Sequence, residues 1–136
     1  MKNIVILIIC LLSISLVSCK QHKGYEITGN VTGFPDSTMF YLRELKTDEN
    51  IDSALVISNK FQLKGHLENE PEDLLLIARV DKKHYHTFLL IGNEKVTIDA
   101  AIHDFPWNVK ISGSKTQDER NDLQDLKKRW IWNAIR

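Results

Sequence analysis

The sequence predicts an all-β domain, mainly an antiparallel β-sandwich of about eight strands, with one C-terminal α-helix. From Tyr25 onward, apolar and polar residues alternate with a period of two, which is typical of half-buried strands. Turn residues recur at spacings of roughly 8–12 residues, as in sandwiches and barrels. After Gly113 the apolar spacing becomes helical. The alternating segments therefore favour two packed sheets over an α/β fold.

The strands follow from this alternation. In the most apolar one, Leu74–Val80, apolar residues are nearly continuous, so we expect a central strand covered on both faces. The predicted strands are Tyr25–Thr32, Met39–Leu45, Ile51–Ile57, Lys60–Leu67, Leu74–Val80, His84–Ile91, Lys95–Ala101 and Asn108–Gly113.

The connections are predicted from turn chemistry. Ser58-Asn59 and Gly92-Asn93 are two-residue linkers between alternating runs, so each predicts a β-hairpin. Gly33–Ser37 contains the proline, aspartate and serine of a turn. Glu68–Asp73 is an acidic loop, and His103–Trp107 is expected to form an irregular corner.

Residues 114–136 are predicted to form the C-terminal helix. Ser114–Gln117 and Thr116–Glu119 both match the capping-box pattern, so either can start it. Its apolar face is wide, and we expect it to dock on the sheet of its own domain. The alternative is a partner surface centred on Trp130 and Trp132, for a partner helix or a second domain. The apolar residues of this face are Leu123, Leu126, Trp130, Ile131, Trp132, Ala134 and Ile135.

The N-terminus has the features of a secretion signal. Lys2 precedes the apolar run Ile4–Val17, which is shorter than the roughly 20 residues of a membrane span. Leu16-Val17-Ser18-Cys19 resembles a bacterial lipoprotein cleavage box, with cleavage directly before the cysteine. The resemblance implies a signal peptide over residues 1–18, a diacylglycerol and palmitate-type acylation on Cys19, and a short tether over residues 19–24.

Lipidation of Cys19 would hold the domain on a membrane, because two or three acyl chains anchor a protein stably. Lys20 is not the aspartate that retains many lipoproteins at the inner membrane. The expected location is therefore the cell envelope, on the outer membrane facing the periplasm.

Composition excludes two classes of function. The formal net charge is +0 and no basic stripe is present, so nucleic-acid binding is rejected. Cys10 would leave with the signal and Cys19 would carry lipid, so residues 25–113 and 114–136 contain no thiol for redox chemistry. No cofactor is expected.

Few residues suggest chemistry. His84 and His86 lie two apart on one strand and face the same side, but a zinc site needs three or four ligands and only His66 or His103 could join them. We therefore interpret the pair as surface residues and expect no metal. Asp52 beside Ser53 lacks a positioned base, so a strand-end role is favoured. The carboxylates of Glu68, Glu70, Glu72 and Asp73 are interpreted as solvated.

Seven short segments occur in a specific order along the chain: Tyr25–Val31, Tyr41–Arg43, Ile51–Ser53, Lys60–Gly65, Phe88–Leu90, Lys95–Asp99 and Ile111–Glu119. Together they resemble DUF4369, a domain of unknown function found at the N-terminus of bacterial lipoproteins. In longer relatives it precedes a thioredoxin-like domain of the thiol-disulfide interchange and AhpC/TSA-like class.

The resemblance implies a non-enzymatic accessory or binding module that keeps a thioredoxin-like partner or domain near the membrane. The redox Cys-x-x-Cys has no counterpart here, so no catalytic residue is carried over. One alternative is a stand-alone peptide- or glycan-binding lipoprotein, which exposed aromatics at Tyr85, Phe105 and Trp107 would favour. Another is a truncated remnant of a redox lipoprotein, since the ending Trp130-Ile131-Trp132 departs from the expected polar helix.

Overall fold

The computed structural model describes residues 24–135, so the signal, Cys19 and most of the tether lie outside the described residues. Eight strands form two four-stranded sheets, which confirms the predicted sandwich with a C-terminal helix. The elements are β1 Tyr25–Thr32, β2 Met39–Glu44, β3 Glu49–Leu55, β4 Lys60–Gly65, β5 Glu72–Val80, β6 Lys83–Ile91, β7 Lys95–Ala101, a 3-10 turn Ile102–Asp104, β8 Lys110–Ser112 and α1 Lys115–Ile135.

Sheet 1 has the strand order β4-β1-β7-β8, and sheet 2 has the order β3-β2-β5-β6. All pairs are antiparallel except β1 and β7, which run parallel. Inward side chains of both sheets are buried together, and Phe40 stacks on Phe61 across the interface with centroids 4.4 Å apart. The core residues are Tyr25, Ile27, Val31, Phe34, Phe40, Leu42, Val56, Phe61, Leu63, Leu67, Leu74, Leu76, Ala78, Leu89, Ile91, Val96 and Ile98.

The predicted hairpin at Ser58-Asn59 has the expected turn, but the strands on either side of the turn do not pair with each other. Ser58 and Asn59 both have positive φ, and backbone hydrogen bonds join Ile57 and Lys60 in both directions, as a tight turn requires. However, β3 pairs with β2 in sheet 2, whereas β4 pairs with β1 in sheet 1. The turn therefore carries the chain from one sheet to the other.

The second predicted hairpin, at Gly92-Asn93, is also wrong, because β6 and β7 lie in different sheets. The Asn93 side chain accepts from the Leu67 N–H and donates to the Leu67 carbonyl, both at 2.8 Å. The Glu70 carboxylate accepts a hydrogen bond from the Asn93 N–H. Gly92-Asn93 thus carries the chain from β6 of sheet 2 to β7 of sheet 1, and these bonds hold it against the loop that contains Leu67 and Glu70.

Strand β5 occupies an interior position of sheet 2, as expected for a central strand. It begins earlier than predicted, at Glu72. Leu74 and Leu76 are buried, whereas Leu75 and Ile77 on the outer face are only half-buried. The expectation that both faces are covered is therefore wrong, because no layer is packed over the outer face of sheet 2 in the described part of the chain.

Helix α1 begins after Ser114, the first of the two predicted starts. The Ser114 hydroxyl accepts a hydrogen bond from the Gln117 N–H at 3.1 Å, as an N-cap does. The Gln117 side chain does not complete a capping box but accepts from the Leu90 N–H at 2.7 Å. The Ser114 hydroxyl donates to the carboxylate of Glu94, which follows β6. The first turns of α1 are thus fixed to the outer edge of β6.

Candidate functional site

The two outer faces of the sandwich have different chemistry. The outer face of sheet 1 is polar along every strand, with lysines, threonines and two acidic residues. It holds Glu26, Thr28, Asn30, Thr32, Lys60, Gln62, Lys64, Lys95, Thr97, Asp99, Lys110 and Ser112. A groove of about 680 Å³ on this face contains both Asp99 and lysines, so its charges largely cancel.

The outer face of sheet 2 combines cationic, aromatic and apolar side chains. It also carries a groove of about 680 Å³. We call this the cationic groove; it is lined by Met39, Tyr41, Arg43, Asn50, Ile77, Arg79 and His84.

Sheet register places these side chains in adjacent rows. Tyr41 of β2 lies opposite Ile77 of β5, and Arg79 of β5 lies opposite His84 of β6. Arg43 lies on the same face as Tyr41, two residues further along β2. A tyrosine ring on the central strand β2 therefore lies between one arginine and a pair formed by Arg79 of β5 and His84 of the edge strand β6.

The two arginines differ in how they are held. The Arg43 guanidinium donates to the Asn50 side chain at 3.0 Å and to the Asp48 carboxylate at 3.2 Å, which fixes its direction. Arg79 is exposed and has no carboxylate partner among residues 24–135. The groove thus has one oriented and one uncompensated cation, and arginine binds carboxylates with two parallel hydrogen bonds.

The histidines predicted to share a face do so. His84 lines the cationic groove, and His86 lies further along β6, with its ring 5.9 Å from the Phe88 ring. Within residues 24–135, no group of three or more metal-binding side chains occurs. His66 and His103 therefore do not join the pair as ligands, and His103 lies 3.8 Å from the Asp104 carboxylate instead.

Two carboxylates of the acidic segment Glu68–Asp73 form contacts that connect separate parts of the fold. Glu70 accepts from the Asn93 backbone, as described above. Asp73 lies within β5 and forms an ion pair with Arg120 of α1 at 3.0 Å. The interpretation of these carboxylates as merely solvated is therefore wrong for Glu70 and Asp73, because both join separate segments.

Asp52 joins three strands at one end of the sandwich. Its carboxylate accepts from the Ser53 and Lys64 backbone N–H groups at 2.8 and 3.1 Å, and from the Tyr25 hydroxyl at 3.1 Å. Burial, together with the negative charge of Asp52, raises the pKa of Tyr25 well above its usual value. These bonds connect β3 of sheet 2 with β1 and β4 of sheet 1, so the geometry agrees with the predicted strand-end role.

Replacing Tyr25 by phenylalanine is expected to lower the free energy of unfolding by about 1–2 kcal/mol at neutral pH, since one buried hydrogen bond to a carboxylate is lost. The folded state favours the protonated phenol, so this contribution is present below about pH 10 and declines as the pH rises above that value. Urea unfolding of the wild type and Tyr25→Phe between pH 7 and 11 measures the difference. Tyr41→Phe, on the outer face, is the control. A difference that does not shrink at alkaline pH would contradict the assigned role.

The aromatics proposed to mark a peptide or glycan site are mostly packed. Tyr85 and Phe105 both make edge contacts with the buried Phe34, at 5.4 and 5.5 Å. Only Trp107 of the three is fully exposed, at 77 %. These aromatics therefore do not form one exposed platform.

The wide face of α1 is not docked on the sheet, contrary to expectation. Helix α1 contacts β6 and β8. From Asp122 to Ile135, every residue whose side chain is described is exposed, with Trp130 at 74 % and Trp132 at 60 %. The docking prediction fails because the first turns alone bond to β6, after which α1 extends past the sandwich.

Sequence reasoning missed the cationic groove. The alternation within each strand does not show that Tyr41 lies near Arg79 and His84. Their proximity depends on the pairing of β2 with β5 and of β5 with β6, which joins segments far apart in sequence. Arg79 was a detectable signal, because a charged residue followed the outward positions Leu75 and Ile77 in an otherwise apolar strand.

The fold defines a small two-sheet β-sandwich domain with a C-terminal helix. The family model described as domain of unknown function (DUF4369) matches residues 25–120, and the chain belongs to this family. Comparisons with curated proteins and with solved structures give no significant match. In the described part of the chain, no helix is long and apolar enough to cross a membrane.

Proposed function

We propose that this protein is a lipid-anchored, periplasm-facing accessory module, without catalysis of its own, that binds acidic peptide segments of client proteins. The observation that carries the binding role is the cationic groove on the outer face of sheet 2. The cleavage-box pattern ending at Cys19 supports the anchor on the outer membrane. The resemblance to N-terminal domains of thiol-disulfide interchange lipoproteins supports a thioredoxin-like partner that would act on the bound clients.

Charge complementarity favours an acidic ligand. Arg79 lacks a carboxylate partner among the described residues, and Arg43 is already oriented by Asn50 and Asp48. Acidic motifs are recognised by arginine clusters, and the Tyr41 ring adds an aromatic surface beside them. The backbone of the central strands β2 and β5 is fully paired within the sheet, so a peptide is held through side chains and not by strand addition.

Replacing Arg79 by alanine is expected to weaken binding of an acidic peptide about 10-fold or more, because a hydrogen bond to a charged group contributes about 1.5–3 kcal/mol. Fluorescence anisotropy of a labelled peptide rich in glutamate and tyrosine, titrated with the full chain, measures the dissociation constant. A lysine-rich peptide of equal length tests the dependence on ligand charge.

Lys110→Ala is the matched control, because it removes one cation from the outer face of sheet 1. The proposal predicts nearly unchanged affinity for this variant. Equal losses in Arg79→Ala and Lys110→Ala would indicate unspecific charge attraction and would reject the groove as the site. Equal affinity for both peptides would do the same.

A further inference from the structure

The exposed part of α1 separates its charges along the chain. The segment from Lys115 to Asp125 contains four acidic residues and only two basic ones, Lys115 and Arg120. The segment from Leu126 onward contains no acidic residue but has Lys127, Lys128, Arg129 and Arg136. The net charge is therefore negative in the first half of the helix and positive in the half that is further along the chain from the bonds to β6.

The same half carries the largest exposed apolar side chains. Leu126, Trp130, Ile131 and Ile135 are all more than half exposed. Leu126 and Trp130 are four residues apart, and so are Ile131 and Ile135, so each pair forms a row along the helix. At 3.6 residues per turn the two rows lie about 140° apart, with Lys127 between them. Asp122–Ile135 extends for about 20 Å at ~1.5 Å per residue, which is long enough to lie along a flat surface.

We infer that residues 126–135 of α1 form an interfacial helix that lies on an anionic lipid surface. Interfacial helices combine a basic polar side with tryptophan and leucine or phenylalanine on the other. Tryptophan is enriched at the level of the lipid headgroups. Lys127 lies one turn before Trp130 and Ile131, where its long side chain can extend to the headgroups while its methylenes stay in the apolar layer.

Lipid is favoured over a protein as the occupant of this surface. Protein interfaces are enriched in tryptophan and arginine but depleted in lysine, particularly at their centre. Lys127 and Lys128 lie three and two residues before Trp130. An anionic membrane attracts such cations. This inference goes beyond the proposed function, and it holds whether or not the cationic groove binds peptides.

The test uses variants of the full chain that each keep a single tryptophan. Each variant is incorporated into lipid vesicles. The double variant Trp107→Phe/Trp132→Phe keeps Trp130, and Trp130→Phe/Trp132→Phe keeps Trp107 on its exposed loop. Quenching by brominated lipid and by aqueous acrylamide is measured in vesicles with and without phosphatidylglycerol. We expect brominated lipid to quench Trp130 several-fold more than Trp107, and only when phosphatidylglycerol is present.

Charge-reversal variants distinguish binding through α1 from a general attraction between the whole domain and the anionic vesicle. Lys127→Glu/Arg129→Glu, in the chain that keeps Trp130, should reduce its quenching by brominated lipid to the level of Trp107. Lys60→Glu/Lys110→Glu changes the net charge equally on the outer face of sheet 1 and should leave the quenching unchanged. Full acrylamide quenching of Trp130 on anionic vesicles would overturn the inference. Protection of Trp130 that requires an added thioredoxin-like protein would overturn it in favour of a protein partner.

Discussion

Replacing Phe40 by alanine is expected to lower the free energy of unfolding by about 3–5 kcal/mol. The Phe40 side chain is fully buried at 0 % exposure, on a central strand of sheet 2. It stacks on Phe61 of sheet 1 at 4.4 Å and makes an edge contact with Phe34 at 5.1 Å. Truncation leaves a cavity between the sheets and removes both ring contacts, each of which contributes about 0.5–1.5 kcal/mol beyond burial.

The loss is large in relation to the whole domain, since domains are stabilised by about 5–15 kcal/mol. Urea unfolding followed by circular dichroism measures it. The matched control is Trp107→Ala, because the Trp107 side chain is 77 % exposed and its truncation removes no core contact. We expect the control to cost about 1 kcal/mol or less. Comparable losses for the two variants would show that the stacked rings do not form the centre of the core.

The second large effect concerns the anchor. Replacing Cys19 by serine is expected to abolish covalent labelling by a palmitate analogue, because the thioether sulfur that would carry the diacylglycerol is absent. The measurement is metabolic labelling of the full chain in a Gram-negative host, followed by isolation of the protein and detection of the label.

The sequence contains its own control for this experiment. Cys10 is the other cysteine and lies within the proposed signal peptide, so Cys10→Ser should retain full labelling. Label that persists in Cys19→Ser, or that disappears in Cys10→Ser, would assign the modification to a different residue. An unlabelled wild-type chain would remove the lipid anchor from the proposed function.

The strands were predictable from sequence, whereas their partners were not. In β1, buried Tyr25, Ile27 and Val31 alternate with polar residues, and this period of two determines the face of each residue directly. It contains no information about the neighbouring strand. Ser58 and Asn59 form the expected tight turn. Val56, just before the turn, still donates to Thr38 beside β2, whereas the carbonyl of Asn59, the second turn residue, accepts from Val31 of sheet 1.

The candidate site was predictable only in part, for the same reason. The common face of His84 and His86 follows from their spacing in one strand. Their proximity to Arg79 and Tyr41 depends on the pairing of three strands, which local patterns do not specify. For α1, the apolar residues predicted burial, but the structure exposes them, since periodicity identifies an apolar face without identifying what covers it.

The bond between the start of α1 and Leu90 also affects how copies of this domain meet. An open strand edge offers unpaired N–H and C=O groups on which another chain can add a strand and begin to aggregate. At β6, the Gln117 side chain occupies the N–H of Leu90. The other three edges are also unfavourable templates: β8 spans only Lys110–Ser112, β4 presents Lys60 and Lys64, and β3 carries Glu49 and Asp52 and pairs with β2 through a register shift. Each of the four edges thus carries a feature that disfavours edge-to-edge polymerisation when many copies are crowded together.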